Sequence, residues 1–342
     1  MGKGSVTDDL TRNTSAAPRE RLTKAFFFVC AFLSVLTTVG IVLALAIDAA
    51  KFFRLTGPLV GVPVENTVSA VEFFTSTRWS PLNRGASGEF GFGVLELVSG
   101  TLVVTIGSAA IALPLGLLTA IYLSEYASPQ IRAYLKPGLE VLAGIPTVVY
   151  GIFALVYITP AVGAVLPVNL STFNALSASI VVGIMIIPMV SSISEDAMSA
   201  VPDELREAGY GMGATKFDVA TGVVVPASIS GIASSYILAL SRAIGETMAV
   251  TIAAGASPQL PPGGTVTILG VAVPYPTPET PLIFTDSIQT MTAAMVQLAN
   301  SDISGTGAAF NSLFAIGLTL FAITLVMNVV SDLIAQRYRE EY

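Results

Sequence analysis

Long apolar runs alternate with polar segments along the whole chain. The runs fall at 25–47, about 94–123, about 139–160, about 175–198, about 227–253 and about 309–333. Each is close to the roughly 20 residues that a helix needs to cross a bilayer. The pattern predicts an all-α integral membrane protein with six transmembrane helices. The first run is longer than a typical signal-peptide core and has no convincing small-residue cleavage site, so it reads as a retained helix. Pro114, Pro146 and Pro188 lie within runs and predict kinks or breaks. Between the first two runs, 48–93 is mixed, with Trp79, Pro81 and several glycines, and reads as an extramembrane loop with short helices. The segment 258–302 carries Pro258, Pro261, Pro262, Pro274, Pro276, Pro278 and Pro281, with Glu279, Asp286 and Asp302 as its charges. Such a stretch favours extended and turn structure and reads as a rigid cap.

Charge gives the runs a direction. Lys3, Arg12, Arg19, Arg21 and Lys24 precede the first run, Arg132 and Lys136 lie between the second and third, Arg206 and Lys216 between the fourth and fifth, and Arg337 and Arg339 follow the sixth. The opposite side holds Lys51, Arg54, Arg78 and Arg84, and the loop 255–308 has no Lys or Arg. The positive-inside rule then places both termini and the loop 202–226 in the cytoplasm. Composition agrees with a membrane protein: of 342 residues 53% are hydrophobic and only 11% charged. There is no His and a single Cys, Cys30, inside an apolar run. Metal clusters, disulfide frameworks and Cys/His or Ser/His catalysis are therefore not expected, nor is a cofactor in this chain or a nucleic-acid partner.

The loop 202–226 reads PDELREAGYGMGATKFDVATGVVVP and carries charges that a bilayer core would not tolerate. Pro202 suits the first position of a helix, with Asp203 and Glu204 at the positive end of its dipole. Leu205, Ala208 and Met212 then form a narrow apolar stripe, with Glu204, Glu207 and Gly211 turned away, so the helix is expected to lie flat against something. Periodicity alone is equally met by an amphipathic connector resting on the membrane. The glycines 209–213 follow no strand, so they do not read as a nucleotide loop.

The fifth run contains Arg242, a basic residue within a span, with Glu246 four positions later. On a continuous helix that spacing puts both on one face about one turn apart, within reach of each other. Counted from Ala227 at 1.5 Å per residue, Arg242 lies roughly 22 Å into the span. Charged residues at such depth face a protein interior or a wet path. Two readings stay open: a self-neutralising pair that fixes helix packing, or an oxyanion site, since a guanidinium offers a planar fork of donors to phosphate. Glu140 and Glu96, near the ends of spans, read as interface residues; Asn169-Leu170-Ser171 fits a glycosylation acceptor only weakly.

Glu207-Ala208, Gly213 and Val223-x-Val225-Pro226 resemble the coupling loop of ABC importer permeases, with Gly209 where that family has a second Ala. ALSRAIGETMAV at 239–250 is similar to the fifth-helix signature of phosphate-specific ABC importer permeases of the PstC type. The stretches 100–102, 120–127, 143–151 and 194–197 agree with it, and the resemblance covers about 94–253. It implies a type I ABC importer permease fold: a cytoplasmic segment 1–24, a first transmembrane helix and outer loop 25–93, a permease core 94–335 that includes the coupling loop, and a tail 336–342. The implied partners are a homologous PstA-like permease, two ATPase subunits that bind ATP, an extracytoplasmic phosphate-binding protein, inorganic phosphate and membrane lipid. It implies that Arg242 and Glu246 lie on the substrate path and that Glu207, Ala208 and Gly213 serve ATPase coupling, with no catalytic residue in this chain. Rival expectations are a permease for another oxyanion such as sulfate or molybdate, and an ion-coupled secondary transporter in which Glu246 carries a proton. An intramembrane enzyme is disfavoured by the lack of His.

Overall fold

The structure is a computed structural model that describes residues 17–63, 67–83, 90–166, 169–260, 263–268, 271–276, 280–303 and 307–337. Lys3, Arg12, Arg84, Glu279, Arg339, Pro261, Pro262 and Pro278 lie outside these residues. The chain divides into two compact units, 1–48 and 49–342. The described part of the first is one continuous helix, the body of α1 (Ala17–Phe52), on which Cys30 is exposed. The helix runs past the apolar stretch at both ends because Ala17, Arg21, Lys24, Ala49 and Ala50 all favour helix.

In the second unit, α2 (Leu95–Ile121) is prolonged to Tyr126 by a π-helical turn, and α3 (Pro129–Ala143) follows. Next come α4 (Thr147–Val165), α5 (Ala175–Ser199), α6 (Asp203–Gly211), α7 (Lys216–Ala227) and α8 (Ile229–Gly245). The chain closes with α9 (Met248–Ala254), α10 (Met291–Ala299) and α11 (Ala308–Arg337). Among the described residues five helices are long and apolar enough to cross a membrane, and α7 and α8 meet that test only when their bent pair is counted as one span.

Three expectations need correction. The third run, 139–160, is not one helix: α3 ends at Ala143 and α4 starts at Thr147. Pro146 has no N–H for the helix ladder and biases Ile145 away from helical geometry, so the run breaks there. The fifth run, 227–253, is also broken: a bend of 71° between α7 and α8 falls at its start, and within it the helix stops at Glu246, whose φ and ψ of −66° and 128° are extended. By contrast Pro114 and Pro188 lie inside α2 and α5, which continue through them. The segment 258–302 holds an antiparallel hairpin of Gly263–Ile268 and Val271–Pro276, as its prolines suggest, but α10 within it has no counterpart in the sequence reading.

α2 and α5 form the centre of the unit. The faces they bury are rich in small residues, Ser108, Ala112 and Gly116 on α2 and Ala178, Ser179 and Gly183 on α5. In a membrane, apolar burial drives little association, and small side chains gain contact by letting backbones approach. Tyr150, Ala154, Ala239, Ala243, Ala249 and Ala253 extend this core to α4, α8 and α9. At the Leu95 end of α2 a second cluster gathers Phe52, Phe73, Trp79, Phe92, Leu97, Met291 and Ile316. At the other end Ala120, Met198, Val201, Val219, Val224 and Ile232 hold the 203–227 segment against α2, α5 and α8.

Candidate functional site

α6 starts after Pro202, which precedes the helix rather than opening it, and places Asp203 and Glu204 in the first turn. Carboxylates there complement the helix dipole. The helix closes at Gly213, whose N–H donates to the Tyr210 carbonyl at 2.9 Å, while the Ala214 N–H donates to the Gly209 carbonyl at 3.2 Å. This double closure needs a left-handed residue between the two bonds, and Gly213 supplies φ of +86°. Thr215 and Asp218 then exchange capping bonds at the start of α7, so the connection has its own local geometry.

The expected apolar stripe is not the buried face. Leu205 is half-buried, but Ala208 is exposed and Met212 is 84% exposed; the face turned inward carries Leu205, Arg206 and the fully buried Gly209. Gly209 decides this rotation. A Cβ there would lie 2.9 Å from Cγ2 of Val219, so glycine lets α6 rest on α7. Glu204, Glu207, Ala208 and Met212 are consequently presented outward together, with Phe217 exposed beyond them.

Arg242 sits in the last turn of α8, where the negative end of the helix dipole favours a cation. It is exposed and lines a cavity of about 320 Å³ together with Lys136 and Glu140 from α3, Glu195 and Pro188 from α5, and Leu123. Among the described residues no ion pair joins Arg242 to Glu246. The expected pairing fails because the helix stops at Gly245 and the chain turns. Glu246 is buried there, its carboxylate accepts the Ala249 N–H at 3.3 Å, and its carbonyl accepts the Thr292 hydroxyl at 2.9 Å. Glu246 thus caps α9 and fixes the break that follows Arg242.

A third acid, Glu195, is completely buried on α5. Its carboxylate pairs with Arg132, accepts from Lys136 Nζ at 2.8 Å and from the Ser199 hydroxyl at 3.2 Å; Lys136 also reaches Asp196 at 3.0 Å. The sequence reading uses Arg132 and Lys136 only for orientation and does not connect them to Glu195. The available signal was a carboxylate at the end of one span facing a short basic loop at the same membrane face. Glu140 lines the cavity with Lys136, and Glu96 accepts the Trp79 N–H at 2.8 Å at the far end of α2.

The family described as binding-protein-dependent transport system inner membrane component matches residues 112–340. The chain belongs to this family. It is a permease subunit of an ABC transporter, and its core of helices is the family's membrane component. Among the permease's relatives, a protein of Xylella fastidiosa named phosphate transport system permease protein PstC is 32% identical over 288 residues, covering 79% of this chain and 80% of that one. The probable ABC transporter permease protein YqgH of Bacillus subtilis is 35% identical over 232 residues, covering 68% and 70%. A solved bacterial ABC transporter involved in the import of the acidic polysaccharide alginate superimposes with a TM-score of 0.59 at 13% identity, over 95% of this chain and 99% of that one. The fold is that of a type I ABC importer permease.

Proposed function

We propose that this permease carries inorganic phosphate inward as one half of an ATP-driven importer. The observation that carries this reading is Arg242, a guanidinium that is exposed to a cavity between α3, α5 and α8 and has no ion pair among the described residues. An exposed charge at that depth needs a wet path or a partner surface beside it, because a lone charge in hydrocarbon costs several kcal/mol. A homologous PstA-type permease facing α8 supplies that surface. The guanidinium stays charged at all relevant pH and binds a phosphate through two parallel hydrogen bonds. Glu246 borders the same path by holding the turn that ends α8 just beyond Arg242.

With the termini and the 202–226 loop in the cytoplasm, the outward face of α6, with Glu207 and Ala208, docks on one ATPase subunit, and the partner permease docks a second. Gly213 keeps the end of that helix closed. ATP binding closes the ATPase pair, the coupling helices follow, and the path opens outward to receive phosphate from an external binding protein. Hydrolysis and release reset it. The phosphate assignment is supported by the names of the PstC relatives.

The test is ATP-dependent phosphate uptake in vesicles carrying the full complex. Arg242→Gln is expected to abolish uptake with the complex intact by co-purification, and Glu207→Ala to weaken the dependence of ATP hydrolysis on the permease. Normal uptake in Arg242→Gln would return Arg242 to a packing role and leave only the general permease.

A further inference from the structure

α6 has few means of gripping the bundle. Gly209 has no side chain, Leu205 is half-buried, and the rest of its apolar surface faces outward. What fixes its direction is Arg206, whose side chain is only 15% exposed. Its Nη1 donates to the Val201 carbonyl at 2.6 Å and to Asp203 at 3.2 Å. Its Nη2 donates to the Met198 carbonyl at 2.8 Å and to Glu125 at 3.2 Å, and Nε reaches the same Glu125 oxygen at 3.4 Å. Met198 lies in the last turn of α5, where carbonyls have no partner within the helix, and Val201 lies in the turn just after it. Glu125 lies in the π-helical turn that prolongs α2, and its side chain is 5% exposed. One guanidinium therefore binds the coupling helix to the ends of two spans.

The end of α5 is held a second time, one turn earlier. Glu195 is gripped there by Arg132 and Lys136 of α3, and Lys136 lines the cavity that Arg242 enters. We infer that Arg206 is the joint that passes displacement of α6 to α2 and α5, and that Glu195 carries it on to α3 and the wall of the cavity. Arg206 is a positioning residue: it touches neither substrate nor nucleotide. The inference rests on the proposed docking of α6 on an ATPase subunit. A planar fork can satisfy two carbonyls and a carboxylate at once, whereas a lysine at the same place keeps the charge and loses that geometry. A merely structural cation would tolerate Arg206→Lys; a joint would not.

The experiment measures phosphate uptake and ATP hydrolysis together in vesicles holding the complete complex, for the unaltered chain, Arg206→Lys and Glu125→Gln. The expected result is a complex that co-purifies normally but transports about tenfold less phosphate per ATP in Arg206→Lys, within the range of ordinary coupling factors. Glu125→Gln is expected to move the ratio the same way by less. An unchanged ratio in both variants, even with both rates lowered together, overturns the inference. If Arg206→Lys does not assemble, Glu125→Gln decides alone, since it lies outside the loop. A second readout does not depend on the substrate. With Cys30→Ser as background, a fluorescent label on Tyr134→Cys, an 83% exposed position of α3, reports its surroundings before and after ATP. The ATP-dependent change is expected in the otherwise unaltered chain and lost in Arg206→Lys; its persistence in both variants contradicts the joint whatever the cargo. No phosphate uptake by the unaltered complex, with the label response present and lost in Arg206→Lys, would sink the phosphate reading and leave the joint standing.

Discussion

At the end of α2 that begins with Leu95, the chain is held by interlocked rings. Phe52 meets Phe73 and Phe92 edge-on at 5.3 Å and 5.6 Å, Trp79 packs on Phe92, and the short strands β1 (Trp79–Ser80) and β2 (Gly91–Phe92) pair beneath them. At the end that stops with Tyr126 the same helix is held by charges: Glu125 to Arg206, and beside it Glu195 to Arg132 and Lys136. The two kinds of fastening differ in what they allow. Rings packed at interior density have one good arrangement, and any displacement opens voids. Arg132 and Lys136, about one-third exposed, can exchange one oxygen for another, or for water, at modest cost. The end with the rings has one good arrangement and the end with the charges has more than one, which fits the docking proposed for α6.

The comparison is broken most severely at the rings. Phe73→Ala removes a fully buried ring from contact with Phe52, Phe53 and Phe74 and should cost about 3–5 kcal/mol, read as a large drop in unfolding temperature of the purified complex. At the charged end, Glu195→Gln leaves Arg132 and Lys136 without their buried carboxylate. Both cations are about one-third exposed and can turn to water, so the loss should be smaller, about 1–3 kcal/mol in the same assay. A loss as large as that of Phe73→Ala would mean that the charged end is as rigid as the other.

Two smaller changes sharpen the account of the loop. Gly213→Ala has open space around it but must hold φ near +86°, which costs an L-residue roughly 1–2 kcal/mol. Its effect should appear as faster hydrogen exchange of the backbone amides at positions 213 and 214. Gly209→Ala gains about 1 kcal/mol of helix propensity but presses a Cβ against the fully buried, stiff Val219, so its net effect should be a small loss of about 1 kcal/mol. Adding Val219→Ala should relieve the clash, and a double-mutant cycle on unfolding temperature should show a favourable coupling between the two substitutions.

Hydrophobic runs made the spans legible, since length and apolarity decide what crosses a bilayer, and the fourth and sixth runs agree with α5 and α11 closely. The breaks were less legible. Of Pro114, Pro146 and Pro188, expected to kink or break the runs, only Pro146 interrupts a helix, because whether a helix bends, continues or stops at proline depends on what its neighbours can satisfy. The same limit applies to the site. Arg242 and Glu246 stand four apart in sequence, but the helix ends between them, so periodicity overstated their contact. Ala208 was expected on the packed stripe and is exposed instead, because the rotation of α6 follows from one close approach, Gly209 to Val219, which no stripe of apolar residues encodes. Arg206 and Glu195 bind residues up to 81 positions distant, and pairings of that range have no local signature.

The most direct measurement is uptake of radiolabelled phosphate by vesicles carrying the complete complex, with ATP enclosed, with sulfate as competitor and with the proton gradient collapsed. The account predicts uptake that requires the ATPase subunits, survives loss of the gradient and is indifferent to excess sulfate. Uptake that persists without the ATPase and vanishes with the gradient, or that sulfate suppresses, would contradict it.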